Sequence, residues 1–183
     1  MGSHHYIFGE TRDVLTGETI TDTHDERYRQ AIARYLLAEK GYDRESLAPR
    51  VPICLENLGR RTVVVVDLAA RIDGRILMVV RYGPGSLVTR ERPALAASRL
   101  VSPFQVPVVV VTNGVDAEVL DGVTGKIKGS GLSAIPSREE LAGLGRATEP
   151  VPIDPGRAEM ERRILFTYEA VGACNCEDIS CET

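Results

Sequence analysis

The stretch Arg60-Arg61-Thr62-Val63-Val64-Val65-Val66-Asp67-Leu68-Ala69-Ala70-Arg71-Ile72-Asp73-Gly74-Arg75-Ile76-Leu77-Met78-Val79-Val80-Arg81-Tyr82 decides the fold. Thr62 to Leu68 is apolar at successive positions, the pattern of a strand in a sheet covered on both faces. Ile76 to Tyr82 returns as a second buried strand, and Asp73-Gly74 between them is a tight-hairpin dipeptide. Gly83-Pro84-Gly85-Ser86 then forces a turn. Pro93 suits the first position of an Ala-rich helix running to about Leu100, and Val108 to Thr112 is a third core strand ended by Asn113-Gly114. The order hairpin, crossover helix, strand predicts that the last strand runs parallel to a neighbour through a right-handed crossover.

Upstream of this stretch, residues 6–24 are polar and read as an arm or irregular lead-in. Thr23 or Asp22 can cap a helix starting near Asp25, with Asp25 and Glu26 in its electropositive first turn and Gly41 at its end. Arg50 to Leu55 reads as a short strand, and Pro52 marks it as an edge or irregular one. Downstream, Ala117 to Asp121 adds a short strand, and Gly122 to Ile135 is a Gly-rich loop. Ser137 with Glu140 forms a capping box. A Pro-rich connector then leads to a helix from Gly156 to about Ala170, with Met160, Ile164 and Leu165 on its apolar side. This divides the chain into an N-terminal arm over 1–24, an α/β core over 25–145, and a C-terminal helix with a cysteine-containing tail over 146–183.

Composition bounds the function classes. The chain has 183 residues, 43% of them hydrophobic and 26% charged, enough for one core and too apolar for wholesale disorder. With 22 Lys plus Arg against 26 Asp plus Glu, the net charge of −4 gives no global attraction to nucleic acid or an anionic membrane. No apolar run approaches the ~20 residues needed to cross a bilayer. The opening residues lack the apolar core of a signal peptide, so a cytoplasmic protein with no membrane partner is expected.

Several short sequences, in order, resemble the N-terminal nuclease domain of type I restriction enzyme R subunits. They are Glu26-Arg27-Tyr28-Arg29-Gln30 in the first helix, Glu39-Lys40-Gly41-Tyr42 after it, Arg60-Arg61 at the start of the hairpin, Asp73-Gly74 at its tip, and Val111-Thr112-Asn113-Gly114 after the crossover. The resemblance covers roughly residues 22–121. It implies a restriction-endonuclease-like α/β fold of the PD-(D/E)xK superfamily, a mixed central sheet with helices on both faces. It also implies a Mg²⁺-dependent nuclease site. Such a site takes an Asp from the start of one hairpin strand, an acidic residue and a Lys one residue apart near the end of the next, and a Glu from the first helix. The carboxylates hold the cation, which activates water and polarises the phosphate, while the Lys orients or stabilises charge.

Glu26 matches the helix position. Aligned on the hairpin, the first Asp falls at or near Val63, and the acidic-x-Lys place falls on Val79-Val80-Arg81 or Val80-Arg81-Tyr82. Neither register supplies a carboxylate on the second strand. Asp67 lies about 13 Å along the strand from Val63, beyond reach of that place. The expectation is therefore a degenerate nuclease-fold domain that binds nucleic acid or a protein of a restriction or defence system. The alternative is an active endonuclease with a rearranged Mg²⁺ site built from Glu26 and Asp67, with Glu56 and Arg81 as further candidates.

Other constellations are weaker. Lys126 and Lys128, in the Gly-rich segment, join Arg81 as candidate contacts to a nucleic-acid backbone. Cys174-x-Cys176-x4-Cys181 has spacing for three thiolates around Zn²⁺ or an iron–sulfur cluster, against the alternative of loosely packed thiols in a terminus. A terminal metal module on an inert scaffold is thus a third reading. Cys54, in an apolar segment, is expected to be a buried thiol.

Overall fold

The computed structural model describes residues 7–57 and 59–170. Its centre is a six-stranded mixed sheet in the spatial order β3 (Leu47–Asn57), β4 (Arg60–Ile72), β5 (Arg75–Tyr82), β6 (Val108–Thr112), β7 (Ala117–Asp121) and β8 (Ile127–Ser130). All neighbours are antiparallel except β5 and β6, which run parallel with Val80 opposite Val110. That exception follows from the crossover helix α2 (Val88–Ser98), as the element order predicts. The hairpin between β4 and β5 turns on Asp73 and Gly74, both at positive φ (51° and 76°), the conformation for which this dipeptide is suited.

Helices cover both faces. On one side α1 (His24–Glu39) and α3 (Arg138–Ala147) meet a cluster containing Ile32, Leu36, Leu68, Met78, Val80 and Leu141. On the other, α2 and α4 (Pro155–Ala170) meet Ile53, Val66, Val79, Val109, Val111 and Leu165. The continuous apolar strands are explained by this double coverage. The local caps form as expected. The Thr23 hydroxyl accepts from the Glu26 amide, and Ser137 and Glu140 make a reciprocal box.

Four expectations change. The polar lead-in contains an antiparallel hairpin of β1 (Ile7–Arg12) and β2 (Thr19–Thr23). Helix α2 starts at Val88, so Pro93 lies inside it rather than at its head. The segment taken as a loop after Gly122 pairs as β8 and makes a short 3-10 turn at Leu132–Ala134, because β7 would otherwise leave a bare edge. Cys54 is exposed on β3: strand alternation turns it outward while Ile53 and Leu55 face the core. Cys174, Cys176 and Cys181 lie outside the described residues. Among those described, no helix is long and apolar enough to cross a membrane.

Candidate functional site

Strand β4 changes partners along its length. It pairs with β3 from Arg60 to Ala70, but with β5 only from Leu68 to Ile72. Asp67 sits at the fork where the second partner ends. Its carboxylate accepts the Tyr82 amide at 2.8 Å, and the residue is only 8% exposed. On the α1 side, Arg29 donates to Asp67 Oδ1 through Nη2 at 2.9 Å and Nε at 3.3 Å, and pairs through Nη1 with Glu26. Arg81 approaches Asp67 Oδ2 at 3.7 Å and reaches Glu169 of α4 at 2.8 Å.

The chain of charges continues in the other direction. Glu26 accepts from Gln30 at 2.8 Å and from Arg50 at 3.3 Å, and Arg50 in turn pairs with Asp13 at 2.6 Å. The sequence of contacts is therefore Asp13, Arg50, Glu26, Arg29, Asp67, Arg81, Glu169, with charge alternating at every step. Arg50 occupies a left-handed conformation (φ 51°) between the pairs Pro49–Leu68 and Val51–Val66, in unbroken register opposite Asp67. For a non-glycine residue that conformation costs roughly 1 kcal/mol or more, repaid here by directing the side chain at two buried carboxylates.

The electrostatics follow from the contacts. Burial alone would raise the Asp13 carboxyl, but amide bonds from Leu15 and Thr16 and the Arg50 guanidinium outweigh it and hold it below the usual carboxylate range. Burial likewise works against the Arg29 charge, yet Asp67 and Glu26 more than compensate and raise its pKa. Burial, with the negative charge of Asp25 and its neighbours, pushes the Tyr82 hydroxyl up to about 12. Tyr82 stacks on Tyr28 with ring centroids 4.8 Å apart. Gly114, at φ 89°, permits this because a Cβ there would collide with the Tyr28 ring.

The expected site residues are thus divided. Glu26, Asp67 and Arg81 are brought into one cluster. Val63, the expected place of the hairpin Asp, pairs with Cys54 well down β4, and Val79 and Val80 are 0% and 1% exposed in opposite halves of the core. Glu56 pairs with Arg61 on the exposed end of the β3–β4 ribbon and takes no part. Lys126 is exposed beyond β7 and Lys128 lies on β8, 3.7 Å from Asp121, so β6 and β7 separate both from Arg81. Asp13, Arg29, Arg50 and Glu169 were not anticipated. Only the spacing of Glu26 and Arg29 on one helical face gave a sequence signal for any of them.

A divalent cation needs carboxylate oxygens free to coordinate it. Here Glu26 and Asp67 are each shared between guanidinium groups, and Arg81 brings positive charge to the fork itself. The donor set does not fit Mg²⁺. Among the described residues no group of three or more His, Cys, Asp or Glu is arranged to hold a metal ion. What the arrangement does supply is rigidity, tying the β1–β2 loop, α1, β3, β4, β5 and α4 together through buried charge.

Residues 24–136 match the family model described as type I restriction enzyme R protein N terminus. No curated protein and no solved structure matches the chain.

Proposed function

Because this chain belongs to the type I restriction enzyme R protein N-terminal family, we propose that it is a nuclease-fold domain that has lost metal-dependent cleavage and binds DNA without cutting it. The observation that carries the loss of cleavage is the placement of Arg81 beside Asp67 at the strand fork. On this reading Asp67, rather than Val63, fills the family's hairpin Asp. Counting along the neighbouring strand then puts Arg81 at the acidic place and Gly83 at the Lys place. The Arg90 side chain lies against Gly83, so close that a Cβ there would stand 2.8 Å from its Nε.

The consequence for chemistry is a reversal of local charge. In a working site the acidic residue would share a cation with Asp67, whereas Arg81 neutralises Asp67 directly and repels a cation. Arg29 then occupies the space between Glu26 and Asp67 that a metal would bridge. No step of phosphodiester hydrolysis can be routed through this set of groups.

DNA as the ligand class is supported by family membership, and its contacts would be to phosphates from exposed Lys126 and Lys128. The test has two arms. Plasmid and oligonucleotide substrates with Mg²⁺ or Mn²⁺ should remain uncut; cleavage that disappears in Glu26→Ala would overturn the proposal. Duplex binding should weaken with salt and weaken further in Lys126→Ala/Lys128→Ala. Retention indifferent to both salt and substitution would move the role to a protein partner.

A further inference from the structure

On the sheet face covered by α2 and α4, Glu161 of α4 is wholly buried among three arginines. Arg99 Nη1 and Arg157 Nε both donate to Oε1 at 2.7 Å, and Arg92 Nη2 lies 2.6 Å from Oε2. One carboxylate cannot neutralise three guanidiniums: Arg99 is 5% exposed and Arg92 Nη1 is a buried donor with no partner among the described residues, while the Arg92 and Arg157 side chains otherwise reach solvent (35% and 46% exposed). Arg99 otherwise binds the carbonyls of Gly122 and Val123 through Nη2, and no bond from its Nε is formed among the described residues. Burial drives its pKa down despite Glu161, a sign that the charge is undercompensated.

Arg99 and Arg157 line a cavity of about 590 Å³ between the end of α2, the turn after β7, the connector over 151–154 and the start of α4. The rest of its wall is largely apolar. Val123, Val151 and Met160 are 61%, 59% and 44% exposed, an unusual clustering of large exposed apolar side chains around a buried charge. Asp154, the one carboxylate in the wall among the described residues, is engaged at the start of α4, where its Oδ1 accepts the Arg157 amide at 2.9 Å.

We propose that this cavity binds a small organic anion, its carboxylate or phosphate head held by Arg99 and Arg157 and its apolar body against Val123, Val151 and Met160. The volume falls in the range of small-molecule sites, and convergent polar groups at one end of an apolar cleft fix orientation in such sites. A bidentate guanidinium contact suits both head groups. The inference is independent of the reading given to the Asp67 cluster, since the two share no residue, although both reach α4.

Isothermal titration of the full chain with octanoate, octyl phosphate and octanol tests it. One or both anions should bind saturably and octanol at least tenfold more weakly, with the stronger anion identifying the head group. Arg157→Gln, at a half-exposed position, should weaken the anion about tenfold, and Val123→Glu at the rim should do the same by repulsion. Thermal melts establish that both variants remain folded. Absence of saturable binding by either anion, or affinities unchanged in both folded variants, would overturn the proposal.

Discussion

The two buried clusters, one threading the strand fork from α1 to Glu169 of α4 and the other around Glu161 of the same helix, are made from the same side chains and reach opposite balances. Around Asp67 the charges alternate from Asp13 to Glu169, so every guanidinium has a carboxylate on each side. Around Glu161 a single carboxylate serves Arg92, Arg99 and Arg157. The alternating chain leaves no surplus positive charge for an anion, although Arg81 Nε and Nη1 are buried donors without a hydrogen bond among the described residues. A cluster with surplus charge carries an unpaid desolvation cost that an incoming anion can relieve. The difference teaches that the number of buried charges says less about function than whether they close.

The comparison breaks most severely at Arg29. Arg29→Ala leaves Glu26 and Asp67 buried and facing each other with one shared counter-charge removed, which should cost about 3–5 kcal/mol in urea denaturation. A loss below about 1 kcal/mol would mean that water already screens the chain and that it is not a structural unit. Glu161→Gln comes next, at about 3 kcal/mol, because three guanidiniums would then be left without a carboxylate. Here the surplus makes a second difference: added phosphate should recover more stability in Glu161→Gln than in the unsubstituted chain, and should recover little in Arg29→Ala.

Acid should erode both clusters. Burial would raise Glu161, but Arg157, Arg92 and Arg99 outweigh it and leave its pKa lowered, as Arg50 and the backbone amides do for Asp13. A carboxyl whose folded pKa lies below its unfolded value is protonated first in the unfolded chain, so its contribution is complete above the unfolded value and disappears as pH falls through the folded one. The unfolded references are 4.5 for Glu161 and 3.8 for Asp13, so the melting temperature should hold down to about those values and decline below them. Replacing Glu161 should flatten the first part of that decline. An identical acid limb in Glu161→Gln would show that the cluster does not govern it.

How much of this was legible in the sequence depends on the range over which each feature is determined. The Asp73-Gly74 turn, the Thr23 cap and the Ser137–Glu140 box rest on a few adjacent residues, and the valine strands on composition; all formed as read. Register was less legible: Val63 to Val66 are equivalent in composition, so nothing local indicates where along a 13-residue strand the second partner attaches, and that pairing begins at Leu68, beside Asp67. Arg50 was equally invisible, since its direction comes from a left-handed residue that no local pattern demands. On α4 the apolar residues drew attention to Met160, which is 44% exposed, while Glu161 is 0% exposed. The available signal was the spacing Arg157, Glu161, Leu165, which stacks a charge pair and a core leucine on one face.

The last prediction tests whether the closed chain can be reopened. Arg81→Glu/Gly83→Lys removes the cation at the fork, adds a carboxylate beside Asp67 and supplies a lysine at the place the proposed alignment gives it; the new side chain at 83 displaces only the flexible end of Arg90. Local charge then favours a divalent ion over internal pairing, although Arg29 still competes for Glu26 and Asp67. At a Mn²⁺ concentration ten times its dissociation constant, binding should stabilise the double variant by about 1.4 kcal/mol, read as a raised melting temperature absent from the unsubstituted chain. If Mn²⁺ stabilised both alike, Arg81 would not be what keeps the metal out. If it stabilised neither, adding Arg29→Gln to the double variant should release the site, because the remaining barrier would be the guanidinium that already stands between the two carboxylates.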